Sequence, residues 1–157
     1  MDKEEFAVRT EALKSRLYRT AYLYLGREAD ALEAVDEAVY QALRGLKKLR
    51  EPAFFETWIT RILINECHRE LRRRKRFSDG ETLPESAGPD HYDGLPLKEA
   101  IRRLPEELRS VVILRYFTGL TLKETAASLD VPQGTVATRQ RKALQLLRLE
   151  LGEEERA

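Results

Sequence analysis

The sequence of 157 residues contains a single cysteine, Cys67, so an internal disulfide is impossible. This favours a reducing compartment, because disulfides persist mainly in oxidising ones. The chain also lacks any apolar run close to the ~20 residues that a membrane-spanning helix requires. Its charged N-terminus has no apolar stretch of the kind that a secretory signal contains. These absences predict a soluble, cytoplasmic protein.

The chain lacks a large net charge as well, since 28 Lys and Arg residues nearly balance 27 Asp and Glu residues and leave +1. This balance argues against a histone-like polycation, but it allows local patches of either sign. No strand-like alternation of apolar and polar residues stands out, and Leu, Ala, Glu, Arg and Lys dominate. The composition therefore predicts an all-α fold.

The sequence also lacks the usual patterns of an enzyme. Its two histidines, His68 and His91, are far apart. Cys67 and His68 are adjacent, so on a helix they point in different directions, and no second pair completes a metal site. A glycine-rich phosphate loop is missing too. We therefore expect neither catalysis nor a metal or cofactor.

Helical periodicity divides the chain into two parts. Residues 77–95 are rich in Gly, Pro, Ser and Asp and show no periodicity, which predicts a flexible linker. The predicted domains are therefore residues 1–76 and 96–157. The predicted helices span residues 3–25, 28–48, 53–75, 96–103, 105–117, 121–129 and 133–150.

The stretch LTLKETAASLDVPQGTVATRQRKAL, residues 120–144, predicts a helix-turn-helix. Thr121 begins a capping box, Asp130 stands where the turn needs left-handed backbone, and Val136 is placed to pack back on the first helix. The polar side of the second helix suits the major groove of DNA, although spacing alone leaves open a solvated bundle face. The predicted DNA-binding residues are Thr135, Ala137, Thr138, Arg139, Arg141 and Lys142.

A second candidate for nucleic-acid binding is RELRRRKR, residues 69–76, which holds six basic residues. The helix dipole explains one or two cations at a helix end, whereas six favour phosphate contact. Trp58 and Ile62 are expected in the core, but aromatic residues beside a basic helix also suit stacking on unpaired bases. The candidates are Phe54, Phe55, Trp58, Arg61, Asn65, Arg69, Arg72 and Arg73.

The second predicted helix carries a cluster of acidic residues in its first turns. One interpretation is solvation favoured by the helix dipole, and the other is a docking face for a basic protein partner. The acidic residues would repel DNA, so the N-terminal domain would hold a protein face and a nucleic-acid face. The acidic candidates are Asp30, Glu33, Asp36 and Glu37.

The order of these segments resembles the extracytoplasmic-function group of bacterial sigma-70 family RNA polymerase factors. DALEAVDEAVYQAL resembles the helix that binds core polymerase, and FFETWITRILINECHRELRRRKR resembles the segment that melts the promoter and reads its −10 element. LPEELRSVVILRYFTGLTLKETAASLDVPQGTVATRQRKALQLLR resembles the domain that reads the −35 element. The resemblance implies a sigma factor that binds core RNA polymerase and promoter DNA, with a cognate anti-sigma factor that is often membrane-anchored.

Four positions depart from the family pattern. Glu33 and Asp36 stand where an Asp and then a Gln are usual, and Val39 stands where an aromatic residue is usual. The resemblance still implies polymerase binding through this helix, Val39 included. Ala137 stands where Lys or Arg is frequent, which implies a divergent −35 preference. A stand-alone helix-turn-helix regulator and a helical adaptor that does not bind DNA stay open as alternatives.

Overall fold

The computed structural model describes residues 1–77 and 95–156, and the chain divides into two compact units, Met1–Ser86 and Ala87–Ala157. The described residues form α-helices and short helical turns without any strand, which confirms the all-α prediction. The predicted linker lies outside the described residues except for its two ends, Phe77 and Leu95, which belong to helices. No helix within the described ranges combines the length and apolarity needed to cross a membrane.

The N-terminal unit consists of three helices that pack on one another: α1 (Lys3–Leu25), α2 (Glu28–Arg44) and α3 (Phe55–Phe77). The Asp2 side chain caps α1 by accepting from the Glu5 N–H at 2.8 Å. Gly26 ends α1 with a φ of 72°, a left-handed conformation that glycine adopts without steric strain. Helix α2 ends earlier than predicted, at Arg44, and a 3₁₀ turn at Leu46–Lys48 follows after Gly45.

Small residues let α2 approach both of its neighbours closely. Ala31, Ala34, Ala38 and Ala42 recur at helical spacing and are all buried. Helix α3 supplies the large side chains of this core, among them Phe55, Ile59 and Leu63, each with 0% of its surface exposed. Since the distance between packed helices depends on the side chains at the contact, the alanines fix α2 close to α1 and α3.

The C-terminal unit contains α4 (Leu95–Arg103), α5 (Glu106–Val112), α6 (Leu122–Leu129) and α7 (Gln133–Arg156). Helix α7 packs against the other three and forms the spine of the unit. It continues past residue 150, where the sequence had predicted its end.

The predicted helix 105–117 forms, but its second half is not α-helical. After α5 the backbone widens into a π-helical segment, Ile113–Thr118, that ends at Gly119 with a φ of 83°. The Leu120 N–H donates to the Leu114 carbonyl, six residues back, at 2.9 Å. This wide turn brings the chain to the start of α6.

Candidate nucleic-acid and protein interfaces

The helix-turn-helix forms at the predicted position. The Glu124 N–H donates to Thr121 Oγ1 at 3.1 Å, and the Thr121 N–H donates to Glu124 Oε1 at 2.8 Å, so the capping box opens α6. Asp130 adopts the left-handed conformation with φ 58° and ψ 47°. The Val131 N–H then donates to the Ala126 carbonyl at 3.0 Å and closes the turn.

A small apolar cluster orients α7 against the helices that precede it. Val111, Ala126 and Val136 are buried together, one from each of α5, α6 and α7. Further apolar contacts surround this cluster, from Leu122, Leu129 and Val131. The buried position of Val136 confirms the prediction that α7 packs back on α6, and it directs the opposite side of α7 outward.

The outward side of α7 carries the predicted DNA-binding residues. Thr138, Arg141 and Lys142 are exposed, whereas Thr135, Ala137 and Arg139 are half-buried. The Thr138 hydroxyl donates to the Gly134 carbonyl at 3.0 Å, and its oxygen accepts from Arg141 Nη2 at 3.5 Å. Arg139 Nη2 lies 3.8 Å from Glu107 Oε2 on α5, so this guanidinium is partly neutralised at the edge of the face.

A second basic face lies on α3. Arg61, Asn65, Arg69 and Arg72 recur at helical spacing and are all exposed, in agreement with one polar line along the helix. Arg69 pairs with Glu66 at 3.5 Å. Arg73 is also exposed, and its Nε and Nη2 both donate to the Glu70 carboxylate at 2.8 Å. The Arg73 hydrogen bonds lower the pKa of Glu70.

Arg74 interrupts the basic tail, because its side chain turns into the unit and is only 12% exposed. It donates to the Leu25 carbonyl at 2.7 Å and forms an ion pair with Asp30. The tail therefore offers five rather than six cations to a ligand. Asp30, a predicted docking residue, is therefore already paired with a cation of its own unit. The sequence contains a signal for this inward position. Arg74 follows the buried Cys67 by seven residues, about two helical turns, so the two residues lie on the same side of α3.

The two phenylalanines before α3 have opposite environments. Phe54 is 59% exposed in a 3₁₀ turn, Pro52–Phe54, whereas Phe55 is fully buried. Edge contact with Phe6 at a centroid distance of 5.7 Å and the Arg9 guanidinium 5.0 Å above the ring hold Phe55 in place. The prediction that Phe55 stacks on a base is therefore wrong, because its ring is part of the core.

The remaining aromatic candidate, Trp58, is half-buried, with its ring centroid 6.2 Å from that of Phe55. Ile62 is half-buried as well.

On the same helix, Cys67 is fully buried, and burial raises the pKa of its thiol to about 12. The described residues hold no group of three or more His, Cys, Asp or Glu side chains that could bind a metal ion.

Comparison with known proteins identifies the family. The chain is 34% identical over 146 residues to the RNA polymerase sigma factor SigV of Bacillus subtilis, an alignment that covers 90% of this chain and 88% of that one. It is 27% identical over 169 residues to the ECF RNA polymerase sigma factor SigW of the same organism, with coverages of 96% and 90%. The chain belongs to the extracytoplasmic-function group of sigma-70 family sigma factors.

The two units of this sigma factor correspond to two family models. Sigma-70 region 2 matches residues 10–77, and Sigma-70, region 4 matches residues 100–149. Two solved structures share the fold. Sigma factor RpoE with the anti-sigma factor NepR from Bartonella quintana has a TM-score of 0.76 at 23% identity and 96% coverage of both chains. CnrH with the cytosolic domain of CnrY has a TM-score of 0.77 at 20% identity, with coverages of 97% and 90%.

Membership of this family decides between the functions left open by the sequence. The protein is a transcription initiation factor that acts with RNA polymerase at promoters, rather than a stand-alone helix-turn-helix regulator. Sigma factors as a class are non-enzymatic initiation factors.

The acidic residues of α2 in this sigma factor line two grooves. Asp30, Glu33 and Glu37 line a groove between α2 and α3, together with Glu66 and Arg73 among others. Asp36 lines a different groove, between α1 and α2. Glu33, Asp36 and Glu37 are exposed, whereas Val39 is half-buried.

Sequence reasoning missed an apolar surface on α2. Leu32, Tyr40 and Leu43 are 50%, 54% and 41% exposed, and they share one sector of the helix; we term them the α2 apolar face. The Arg44 guanidinium lies 5.6 Å from the centroid of the Tyr40 ring. Leu32 and Tyr40 fall outside the helical spacing of the buried alanines of α2, and this spacing is the signal in the sequence for an exposed apolar surface.

Proposed function

We propose that this sigma factor reads one promoter at two points, one on each unit, while α2 holds it on core RNA polymerase. One observation carries the proposal. Each unit directs a line of exposed cationic and polar side chains away from its own core, on α3 in the first unit and on α7 in the second. A line of this kind on each of two separate units suits simultaneous contact with two promoter elements.

Helix α7 is the proposed reader of the −35 element. Arg141 and Lys142 donate to guanine or to phosphate, and Thr138 contacts a thymine methyl group or accepts from a base amino group. Thr135 and Arg139 flank this face and position it on the backbone. Ala137 supplies only a methyl group where a cation is frequent in the family, so sequence preference rests on Thr138, Arg141 and Lys142.

The N-terminal unit is the proposed site of −10 recognition and melting. Arg61, Arg69 and Arg72 follow the phosphates along α3, and Asn65 pairs with a base edge. Phe54 offers an exposed ring at the turn before α3, anchored by the buried Phe55. Removing a base from the stack costs a few kcal/mol, and stacking on an aromatic ring returns ~1–3 kcal/mol.

Helix α2 is the proposed docking surface for core polymerase. The α2 apolar face offers apolar surface that a partner would bury. The exposed acids Glu33, Asp36 and Glu37 offer charge complementarity to a basic partner. We also propose a cognate anti-sigma factor, because both structural neighbours were solved with an anti-sigma partner or a cytosolic partner domain. We also propose a cytoplasmic location, which the action with RNA polymerase supports.

Selection of promoters tests this function directly. The full chain bound to core RNA polymerase should enrich fragments with two conserved elements from a randomised duplex pool, and it should initiate transcription from them. The chain without polymerase should bind the same fragments weakly, because each unit alone makes few contacts and polymerase raises their effective concentration. Tight, specific binding without polymerase, or no copurification with core polymerase, would overturn the proposal.

Arg141→Ala and Arg148→Ala form a matched pair for this assay. Both residues are exposed on α7 and seven positions apart, and both variants remove one positive charge. We expect Arg141→Ala to weaken −35-dependent binding by ~1–3 kcal/mol, while Arg148→Ala has a much smaller effect. Equal effects would reduce Arg141 to a general electrostatic role.

A further inference from the structure

A polar side chain interrupts the inner stripe of α7. Val136 and Ala143 are fully buried, and the half-buried Gln140 lies between them on the same side of the helix. Arg115, from the π-helical segment, donates through Nε to Gln140 Oε1 at 2.9 Å. Its Nη1 donates to the Leu120 carbonyl at 2.8 Å. One guanidinium therefore joins the middle of α7 to the turn that precedes α6.

These two hydrogen bonds add a directional restraint to the apolar contacts that already orient α7. The burial of Val136 and Ala143 fixes which side of the helix faces the core, but apolar burial is itself non-directional. Hydrogen bonds have narrow angular preferences, and the planar guanidinium fixes two of them at once. Leu120 is itself buried, with 2% exposed, so the turn is a fixed reference for α7.

We propose that Arg115 is a positioning residue for promoter recognition: through Gln140 it sets the rotation of α7 and hence the direction of Thr138, Arg141 and Lys142. Gln140 immediately precedes Arg141, so a rotation that breaks the Arg115 bond also redirects the reading side chains. This inference rests on the proposed role of α7 at the −35 element. It assigns a role in specificity to Arg115, which contacts the inner side of α7 rather than the side that carries the reading residues.

The experiment uses the full chain assembled with core RNA polymerase and two DNA probes. One is a promoter fragment selected from a randomised duplex pool by the wild-type complex, and the other is the same fragment with its −35 element scrambled. The quantity measured is the ratio of the two affinities. Arg115→Lys keeps the positive charge but loses the planar guanidinium that donates to two acceptors at once. Gln140→Leu removes one of these acceptors, the side-chain oxygen on α7.

We expect each single variant to lower the affinity ratio by ~10-fold, because each breaks a hydrogen bond to a charged group. The double variant should lose no more than either single one, since both changes break the same link. Affinity for the scrambled fragment should stay unchanged. Arg109→Lys is the matched control: Arg109 is also half-buried and donates to a backbone carbonyl, that of Arg102 at 3.3 Å, so its hydrogen bond joins α5 to α4 rather than to Gln140 of α7.

The possible failures are distinguishable. If the wild-type ratio is close to one, the proposed −35 role of α7 is wrong. If the wild type discriminates and Arg115→Lys keeps its full ratio, only the positioning role is overturned. An equal loss of affinity for both fragments would make Arg115 a phosphate contact. Losses in the affinity ratio that add in the double variant would show that Arg115 does not act through Gln140. If Gln140→Leu fails to fold, the ratio for Arg115→Lys decides alone.

Discussion

Replacing Arg74 by Ala should destabilise the N-terminal unit without weakening its affinity for DNA. The change removes the donor to the Leu25 carbonyl and the partner of Asp30, whose side chain is 24% exposed. Breaking a fully buried ion pair costs ~3–5 kcal/mol, and losing a hydrogen bond to a charged group costs ~1.5–3 kcal/mol. Asp30 keeps some access to water and lies 3.8 Å from Arg27, so we expect a loss of ~2–3 kcal/mol.

Arg72→Ala is the matched control for this change, because Arg72 lies two positions earlier on α3 and is exposed. Its removal should alter the free energy of unfolding by less than ~0.5 kcal/mol and should weaken promoter binding. Urea unfolding measures the first quantity, and binding of the polymerase complex to its selected promoter measures the second. If Arg74→Ala unfolds at the wild-type urea midpoint, or if Arg72→Ala destabilises the unit equally, the assignment of Arg74 to structure is refuted.

Three further predictions concern the N-terminal unit. Phe55→Ala should destabilise it by ~3–5 kcal/mol in urea unfolding, whereas Phe54→Ala should leave stability unchanged and reduce promoter melting; the reverse pattern would contradict their assigned environments. Glu33→Lys with Asp36→Lys should abolish copurification with core polymerase and leave the urea midpoint unchanged, since both side chains are exposed. The lowered pKa of Glu70 contributes stability that is present above the ordinary pKa of Glu and lost as pH falls through the folded-state pKa. Glu70→Gln should therefore reduce this acid dependence of urea unfolding, and an unchanged pH profile would exclude the Arg73 pair as its source.

Helical spacing predicted the parts of the fold that depend on one helix at a time. The capping box at Thr121, the left-handed Asp130 and the buried Val136 each follow from local geometry, so the helix-turn-helix was accessible from the sequence. The alanine stripe of α2 was accessible for the same reason. The exposed line of α3 also follows from spacing, because spacing gives the relative angle of residues on one helix.

What spacing missed depends on neighbouring elements. The inward turn of Arg74 requires the C-terminal carbonyl of α1 and a carboxylate of α2 beside it. Which of Phe54 and Phe55 enters the core depends on where the 3₁₀ turn gives way to α3. Leu32 and Tyr40 are exposed because α1 and α3 cover other sides of α2. Periodicity on a single helix contains none of this information.

Transcription from a selected promoter and from versions with one element altered tests two-point recognition most directly. The assay compares the wild-type polymerase complex with Arg141→Ala and Asn65→Ala. Two-point recognition predicts that Arg141→Ala becomes insensitive to changes in the −35 element while it still responds to the −10 element, and that Asn65→Ala shows the opposite pattern. Loss of sensitivity to the same element in both variants would contradict the division of promoter recognition between α3 and α7.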